Sequence, residues 1–362
     1  MKRIALIGCT GSIGRQVLDV VRRNPDNFKV SALVCGRNAE RLAMLAEEFR
    51  PRIAFCAADG RRELADVFAD CDVAFIAAGG FAGLRYTLAA IAAGKTVALA
   101  NKESLVCGGE LVTRAAAERG VDIIPVDSEH SAIFQALGCR RNGKFSRLVL
   151  TASGGPFLHF TKEQLAHVTA AEALKHPTWN MGEKVTIDSA TLLNKGYEVI
   201  EAKWLYGADF AQIEAVVHPE SIVHSLVCLE DGAALAQLGY PDMRVPIQLA
   251  LTYPDRHPCA PQLDFAKLGA LHFERLPAER FPCFSLALEA GRAGGTRPAV
   301  LNAAAEEAVH AFLAGGITFP QIAETIEDTL NRIPAASVTS YDVLAETDKK
   351  AREAARKFIY DK

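Results

Sequence analysis

The stretch Ile4-Ala5-Leu6-Ile7-Gly8-Cys9-Thr10-Gly11-Ser12-Ile13-Gly14 decides the fold of the first part of this chain. Its apolar start predicts a buried strand, and the glycines allow a tight turn into a helix. A helix N-terminus behind such a turn favours the charge of a pyrophosphate, so the stretch predicts a dinucleotide site. The spacing is G-x-x-G-x-x-G rather than G-x-G-x-x-G, and a tight turn without a nucleotide is therefore the alternative.

The residues after the second predicted strand, Phe28–Cys35, indicate which dinucleotide binds. A site for NAD usually has an acidic residue there, which binds the ribose 2′-hydroxyl. This chain has Gly36, Arg37 and Asn38 instead. A guanidinium offers positive charge and a planar set of donors to a 2′-phosphate, so the pattern favours NADP over NAD. A solvated surface arginine is the alternative.

Strand and helix patterns alternate up to residue 127. Alternation of this kind predicts an α/β fold with a doubly wound parallel sheet. Shorter strand patterns follow between residues 148 and 238, and long helical patterns follow residue 299. We therefore predict an N-terminal Rossmann-like dinucleotide-binding domain, a central α+β catalytic domain, a linker and a C-terminal helical bundle, at residues 1–127, 128–252, 253–278 and 279–362.

Polar residues follow two of the predicted strands of the first domain. Lys102 follows the apolar run 96–100, and Asp127 and Glu129 follow the run 121–126. Ligands of open parallel sheets bind beyond the carboxyl ends of the strands, so both places are candidate sites. Two carboxylates suit a hard divalent cation, and a lysine can polarise a substrate oxygen. Helix caps with charged neighbours are the alternative for both groups.

A glycine-rich turn and an aperiodic loop follow in the second domain. Ser153-Gly154-Gly155-Pro156 places a hydroxyl in a turn suited to a phosphate or to a close backbone approach. The segment from His176 to Gly182 lacks periodicity and has a proline after its histidine, which predicts a mobile loop able to cover a ligand. Packing of Trp179 and Met181 on the core is the alternative.

Residues 189–202 have the periodicity of one helix with a polar face. Asn194, Lys195 and Glu198 share that face because they are three and four residues apart. A surface ion pair worth roughly 0.3–0.5 kcal/mol is the alternative. Gly196 costs a helix about 1 kcal/mol relative to alanine. Its place beside Lys195 therefore indicates a close approach of a ligand or of another backbone segment.

Composition limits the class of protein. The 362 residues carry a net charge of -3 and are 50% hydrophobic, which predicts a globular protein without the basic surface that nucleic acids require. The scattered cysteines have no C-x-x-C spacing and predict free thiols in a reducing compartment. The sequence has neither a secretory pattern nor an apolar run near the roughly 20 residues of a membrane span, so we expect a cytoplasmic protein without a membrane partner.

Together these motifs resemble those of the 1-deoxy-D-xylulose 5-phosphate reductoisomerases, the NADPH enzymes of the non-mevalonate isoprenoid pathway. The resemblance covers nearly the whole chain and rests on many motifs in the same order. They are Gly8-x-Thr10-Gly11-Ser12-Ile13-Gly14, Ala100-Asn101-Lys102-Glu103-Ser104, Pro125-Val126-Asp127-Ser128-Glu129-His130, Ser153-Gly154-Gly155-Pro156-Phe157, His176-Pro177-x-Trp179-x-Met181-Gly182 and Asp188-Ser189-Ala190-Thr191-x-x-Asn194-Lys195-Gly196.

The resemblance implies which residues bind a metal ion, the substrate and the cofactor, and which are catalytic. It implies that Mn²⁺ or Mg²⁺ binds to Asp127, Glu129 and Glu198, and that the catalytic residues are Lys102, Glu129 and His176. A phosphorylated ketose substrate would contact Lys102, Ser128, Glu129, Ser153, His176, Ser189, Asn194, Lys195 and Glu198. NADPH would contact Thr10, Gly11, Ser12, Ile13, Gly36, Arg37, Asn38, Asn101, Glu103 and Gly182.

The implied reaction rearranges the carbon skeleton of 1-deoxy-D-xylulose 5-phosphate by retro-aldol and aldol steps. It then reduces the resulting aldehyde to 2-C-methyl-D-erythritol 4-phosphate, and the family implies a homodimer. Two other functions fit a dinucleotide domain: an NADP-dependent sugar-phosphate or semialdehyde dehydrogenase without the rearrangement, and a nucleotide-sensing module. Neither needs Asp127, Glu129 and Glu198, so the presence of these carboxylates favours the reductoisomerase.

The arginine after the second predicted strand gives a test of cofactor choice. We expect Arg37→Ala to weaken NADPH binding by about 1.5–3 kcal/mol, the size of lost hydrogen bonds to a charged group. NADH binding should stay nearly unchanged, because NADH has no 2′-phosphate. Fluorescence titration of the variant with both nucleotides measures the two affinities. Equal losses for NADPH and NADH would contradict a contact between Arg37 and the 2′-phosphate.

Overall fold

The computed structural model describes residues 1–59, 64–139 and 143–361. Strands and helices alternate along the first part of the chain, as the periodicity predicts. In order, the elements are β1 (Lys2–Ile7), α1 (Ser12–Arg23), β2 (Phe28–Cys35), α2 (Ala39–Phe49), β3 (Ile53–Cys56), α3 (Leu64–Ala69), β4 (Val73–Ile76), α4 (Ala82–Ala92), β5 (Thr96–Leu99), α5 (Glu103–Arg119), β6 (Ile123–Pro125) and α6 (Ser128–Ala136).

The later part of the chain combines short helices and strands with longer helices at its end. The elements are β7 (Arg147–Ala152), α7 (Lys162–Leu165), α8 (Ala170–Ala173), α9 (Glu183–Ala190), α10 (Leu193–Tyr206), β8 (Ile213–Val217), β9 (Val223–Cys228), β10 (Ala234–Leu238), α11 (Arg244–Thr252), α12 (Phe265–Leu268), β11 (Glu274–Arg275), α13 (Pro282–Ala293), α14 (Arg297–Leu313), α15 (Phe319–Arg332) and α16 (Tyr341–Tyr360). Among the described residues, no helix is both long enough and apolar enough to cross a membrane.

The chain forms two compact units, and each unit combines separate stretches of sequence. The first unit contains Met1–Ser104, Val112–Ser131 and Asp242–Gln262, and the second contains Leu105–Leu111, Ala132–Pro241 and Leu263–Lys362. The predicted fold class is confirmed: a parallel α/β sheet is followed by a mixed α+β part and by C-terminal helices. The boundaries after residues 127, 252 and 278 stay predictions, because a division into two units does not test a division into four segments.

The first unit holds a six-stranded sheet in the order β3-β2-β1-β4-β5-β6, with all of these strands parallel. That order reverses the direction of winding between β1 and β4 and leaves a crevice at the carboxyl ends of the strands. The strand ends are in register, since Ile7 pairs with Ile76, Ile76 with Leu99, and Leu99 with Pro125. The polar residues that follow these strands therefore share one edge of the sheet.

The second unit holds a five-stranded mixed sheet in the order β10-β9-β7-β8-β11. Strand β7 runs parallel to β8 and antiparallel to β9, and β9 pairs antiparallel with β10. In the helical part, α14 is buried along most of its length and packs against both α15 and α16. Helix α10 packs against α13, so it connects the helices with the region of the sheet.

The prediction of one continuous helix over residues 189–202 is wrong, because the structure has two helices there. The structure ends α9 at Ala190 and begins α10 at Leu193. Leu192, between them, has a φ of 58°, which lies in the left-handed region that an α-helix of L-residues avoids. Leu192 and Leu193 are both buried. The apolar periodicity therefore continues across the break, and the pattern alone does not reveal it.

Gly196 marks a close approach between α10 and α13. An added β-carbon at Gly196 would lie 2.4 Å from the β-carbon of Ala287. That distance is far shorter than the ~3.5–4.0 Å at which two carbon atoms pack without repulsion. The close approach that the sequence indicates is present, and the neighbour in the structure is another helix of the protein.

The contact between these two helices gives a test of the packing. We expect Gly196→Ala to lower the free energy of unfolding by about 1–3 kcal/mol, because the added methyl group overpacks the contact with Ala287. Ala287→Gly removes the opposing methyl group and costs its own helix about 1 kcal/mol. Urea unfolding of both single variants and of the double variant measures the coupling. A double variant whose loss is simply the sum of the two single losses would contradict this account.

Candidate active site

The glycine turn after β1 has the geometry of a phosphate-binding loop. Gly8 has a φ of +90°, and an added β-carbon there would lie 2.4 Å from the carbonyl oxygen of Ala77. Helix α1 has no acidic residue in its first turn and no side-chain hydrogen bond at its N-cap. Its N-terminus therefore presents amide groups and the positive end of the helix dipole to an anion. The turn carries four of the predicted cofactor residues: Thr10, Gly11, Ser12 and Ile13.

The predicted NADP-selective residues follow β2, which pairs with β1 up to Ile7 and Val34. Asn38 accepts a hydrogen bond from the amide of Arg41 at 3.0 Å and caps α2. This structural role of Asn38 was not identified from the sequence, although an asparagine directly before a helical pattern is its usual signal. Arg37 is exposed, as are Gly36 and Asn38, so its guanidinium is accessible to a ligand.

Asn101 is held in one orientation at the carboxyl end of β5. Its Nδ2 donates to Glu103 Oε2 at 2.7 Å and to the carbonyl oxygen of Gly80 at 3.1 Å. Its Oδ1 accepts a hydrogen bond from the amide of Ser104 at 3.0 Å. An added β-carbon on Gly83 would lie 2.2 Å from the same oxygen. Asn101 and Glu103, both predicted cofactor residues, are therefore buried and oriented by the protein itself.

Lys102 and Asp127 meet at the edge of the sheet where β5 and β6 end. Lys102 Nζ lies 2.8 Å from Asp127 Oδ2, and Ser128 Oγ donates to Glu129 Oε2 at 2.5 Å. Helix α6 begins at Ser128, so Asp127 does stand at a helix start, as the cap alternative requires. A ligand atom of Asp127 and one of Glu129 lie within 4.8 Å of each other, which is close enough for both to bind one cation.

His176 joins two predicted phosphate-binding hydroxyls in the second unit. Its Nε2 lies 3.0 Å from Ser153 Oγ and 3.2 Å from Ser189 Oγ. Its Nδ1 accepts hydrogen bonds from the backbone amides of Thr178 at 3.2 Å and Trp179 at 2.9 Å. A ring nitrogen that accepts hydrogen bonds carries no proton, so the neutral imidazole carries its proton on Nε2. The Nε2–H group is therefore directed at the serines.

Burial lowers the pKa of His176 to about 4. A proton on Nδ1 would also oppose the two backbone amides that already point at this nitrogen. His176 is therefore neutral at physiological pH and acts as a hydrogen-bond donor through Nε2. A neutral donor suits the recognition of a phosphate oxygen.

One face of α10 brings together the three polar residues that the spacing predicts. The Lys195 ammonium contacts Glu198 Oε2, and Asn194 Nδ2 donates to Glu198 Oε1 at 2.5 Å. The side chain of Lys195 is 4% exposed and that of Glu198 is 0% exposed. The alternative of a surface ion pair is therefore wrong. Burying two charges costs desolvation energy that often exceeds the attraction between them, so the pair is weak evidence for a stabilising role.

The aperiodic segment between α8 and α9 forms no helix, as predicted. Trp179 is half-buried, and the centroid of its ring lies 5.9 Å from that of His224. Met181 is also half-buried, and Gly182, a predicted cofactor residue, is the N-cap of α9. Trp179 thus packs partly on the protein, as the alternative requires, and the mobility of the segment stays a prediction.

Helix α9 contains an ion pair that the sequence pattern alone does not reveal. Lys184 Nζ lies 2.7 Å from Asp188 Oδ2, and the Asp188 side chain is 1% exposed. The two residues are one helical turn apart, and Asp188 directly precedes Ser189. Opposite charges four residues apart are the signal that would have found it, but that signal is common on solvated helix faces.

The strand order 3-2-1-4-5-6, with a glycine turn at its switch point, is that of a dinucleotide-binding domain of the Rossmann type. Family models match most of the chain. Residues 4–65 and 55–109 match 1-deoxy-D-xylulose 5-phosphate reductoisomerase, residues 123–206 match its C-terminal domain, and residues 238–354 match the DXP reductoisomerase C-terminal domain. The chain belongs to the 1-deoxy-D-xylulose 5-phosphate reductoisomerase family.

Relatives with this name match the chain along its whole length. The reductoisomerase of Geobacillus kaustophilus is 50% identical over 99% of this chain and 100% of the relative. A solved structure, the reductoisomerase from Zymomonas mobilis in complex with NADPH, is 40% identical with a TM-score of 0.91, and covers 100% of both chains. The structure of a DOX-P reductoisomerase in complex with NADPH, fosmidomycin and magnesium is 38% identical with a TM-score of 0.94, over 99% and 98% of the chains.

The protonation state of His176 is open to direct measurement. Its pKa of about 4 in the folded protein lies below the ordinary value of 6.5. We therefore expect its imidazole NMR signals to stay nearly constant between pH 8 and pH 6 and to shift only below about pH 5, with the His176→Gln variant identifying them. The stability that neutral His176 contributes should be complete above about pH 6.5 and should fall as the pH drops toward 4, because the unfolded chain binds this proton first. A titration midpoint near 6.5 in the folded protein would contradict the donor role.

Proposed function

We propose that the protein converts 1-deoxy-D-xylulose 5-phosphate to 2-C-methyl-D-erythritol 4-phosphate, with NADPH as reductant and a divalent cation as second cofactor. The observation that carries this proposal is the set of carboxylates Asp127, Glu129 and Glu198, which a dehydrogenase without a rearrangement does not need. The reductoisomerases that match the whole chain support it, as does a similar structure that holds NADPH, fosmidomycin and magnesium.

NADPH is assigned to the crevice at the carboxyl ends of β1 and β4. The pyrophosphate would lie on the glycine turn and the N-terminus of α1, where the helix dipole favours negative charge. Exposed Arg37 offers its guanidinium to the 2′-phosphate. The assigned contacts are Thr10, Gly11, Ser12, Ile13, Gly36, Arg37, Asn38, Asn101, Glu103 and Gly182.

The cation is assigned to Asp127, Glu129 and Glu198. All three offer carboxylate oxygens, the donor type that Mg²⁺ and Mn²⁺ prefer. The residues fit such an ion, since a ligand atom of Asp127 lies within 4.8 Å of one of Glu129 and all the donors are carboxylate oxygens. When bound, a divalent cation polarises substrate oxygens and stabilises negative charge that develops on them.

The substrate phosphate is assigned to a set of donors in the second unit. Hydroxyl groups of Ser153 and Ser189 flank the Nε2–H group of His176, and the three together can donate to phosphate oxygens. Asn194 and Lys195 add an amide and an ammonium group on α10. Charge-assisted hydrogen bonds of this kind are about twice as strong as neutral ones, so they can hold the substrate while its carbon skeleton rearranges.

Proton transfer is assigned to Lys102 and Glu129, with Ser128 as a substrate contact beside them. Retro-aldol cleavage requires removal of a proton from a substrate hydroxyl group, and reduction requires delivery of a proton to the aldehyde oxygen as hydride reaches its carbon. The Glu129 carboxylate is suited to accept a proton, and Lys102 Nζ is suited to deliver one. Lys102 is held at the sheet edge by Asp127 and is therefore positioned for this role.

The proposal also covers the pathway, the oligomeric state and the cellular location of the enzyme. We assign it to the non-mevalonate isoprenoid pathway, as a homodimer in the cytoplasm. The family resemblance supports these assignments, and the absence of C-x-x-C spacing among the nine cysteines is consistent with a reducing compartment.

The decisive assay follows the loss of NADPH absorbance with 1-deoxy-D-xylulose 5-phosphate, with and without Mg²⁺ or Mn²⁺. We expect Asp127→Asn and Glu198→Gln to lower turnover by about 100-fold or more, because each removes a proposed metal ligand worth several kcal/mol in the transition state. Calorimetry with Mn²⁺ should show weaker metal binding in both variants, and fluorescence should show unchanged NADPH binding.

The exposed carboxylate Glu163 provides the matched control, since Glu163→Gln should leave turnover and metal affinity unchanged. Full activity of the wild-type protein in the presence of a chelator would contradict the metal assignment. Oxidation of NADPH that yields a product with an unrearranged carbon skeleton, seen by ¹³C NMR, would favour the simple dehydrogenase instead.

A further inference from the structure

Helix α9 connects the loop around His176 with the proposed phosphate site, but it has little local support. It is only 8 residues long, and its N-cap Gly182 makes no side-chain cap hydrogen bond. An isolated helix of this length is unstable in water, so tertiary contacts must hold it. Its Ser189 hydroxyl must nevertheless keep its position beside His176 Nε2. The contacts that hold α9 therefore affect the geometry of the phosphate site.

Lys184, in the first turn of α9, makes contacts that hold this helix in place. Its ammonium lies 2.7 Å from Asp188 Oδ2 and 5.1 Å from the centroid of the Tyr197 ring on α10. Tyr197 is fully buried, and its face offers a cation–π contact. The lysine thus joins α9 to α10, and Asp188 is the direct neighbour of Ser189.

From Tyr197 the contacts continue into the C-terminal helices. The Tyr197 hydroxyl donates to Asn302 Oδ1 at 3.3 Å, and Asn302 Nδ2 donates to Glu306 Oε1 at 3.0 Å. The Glu306 carboxylate is paired with the Arg352 guanidinium of α16 at 2.7 Å. A continuous series of packed and hydrogen-bonded side chains therefore runs from α9 through α10 and α14 to α16.

The lowered pKa of Glu306 shows that Lys184 and Arg352 both act on this carboxylate. Burial by itself raises the pKa of Glu306, but the positive charges of Lys184 and Arg352 outweigh it and hold the pKa below its ordinary value, with help from the Asn302 hydrogen bond. Lys184 thus acts on two carboxylates, the buried Asp188 in its own helix and the half-buried Glu306 in α14. Loss of the Lys184 charge would leave the carboxylates of Asp188 and Glu306 with less positive charge beside them. This would destabilise the packing of α9 against its neighbouring helices.

We propose that Lys184 is a positioning residue for the substrate phosphate: by joining α9 to Tyr197 and to the Glu306–Arg352 pair, it holds Ser189 Oγ beside His176. The inference rests on the proposed function, in which Ser189 and His176 bind that phosphate. Lys184 touches neither the substrate nor the cofactor in this account. Its contribution is to keep the donors in place before the substrate arrives, which lowers the cost of binding.

The test compares Lys184→Met, which removes the charge but keeps a long side chain, with Lys184→Arg, which keeps the charge. We expect Lys184→Met to raise the KM for 1-deoxy-D-xylulose 5-phosphate and the Ki of fosmidomycin by about tenfold, in the range found for indirect coupling between residues. The kcat should change by less than about threefold, and the NADPH Kd should stay the same. Lys184→Arg should recover most of the lost affinity.

Lys203 provides a matched control in the same unit. Its ammonium lies 5.4 Å from the centroid of the Trp204 ring and 5.3 Å from that of Phe210, so Lys203→Met also removes a lysine with aromatic contacts. It should leave the KM and the Ki unchanged. Glu306→Gln should reproduce the KM increase, and its combination with Lys184→Met should raise KM by less than the product of the two single effects.

The outcomes separate the inference from the proposed function. A wild-type protein that does not turn over the ketose phosphate refutes the proposed function itself. An active wild type in which Lys184→Met lowers the melting temperature but keeps the KM and the Ki refutes the positioning role, as does an equal rise in the NADPH Kd. If Lys184→Met does not fold, Glu306→Gln carries the test, and a normal KM and Ki in that variant refute the inference.

Discussion

Buried charge is the constraint on which the candidate active site depends. Glu198 is fully buried on α10, and a carboxylate in that position must have a partner of opposite charge or strong hydrogen-bond donors. Lys195 and Asn194 provide both. Asp127 has Lys102 in the same way at the sheet edge of the first unit. The acids proposed to bind a cation are thus accompanied by groups that support their charged form.

The same structure shows why orientation matters as much as charge. His176 contributes a donor because two backbone amides occupy its Nδ1 and burial keeps the ring neutral. Asn101 is held by a carboxylate, a carbonyl group and an amide, and so its side chain has one orientation. Groups that are oriented before the ligand binds lose less entropy when it does. Both residues therefore illustrate preorganisation built from ordinary hydrogen bonds.

The sequence by itself determined the elements that depend on local pattern. The strand, glycine turn and helix pattern that begins at Ile4 predicted the start of the sheet, which the structure contains as β1 and α1. The spacing of Asn194, Lys195 and Glu198 placed them on one face. These inferences succeeded because backbone geometry and neighbouring residues decide them, with little need for distant contacts.

Only the tertiary structure decided which of these groups are buried and what they touch. It placed the Lys195–Glu198 pair in the interior, ended α9 before Leu192, and set Gly196 against Ala287. It also connected Lys184 with side chains more than a hundred residues later in the chain. Periodicity reports which face of a helix is apolar, but it carries no information about which distant segment packs there. Burial, tautomer and ion-pair partners depend on that distant segment, and so they follow from the folded chain alone.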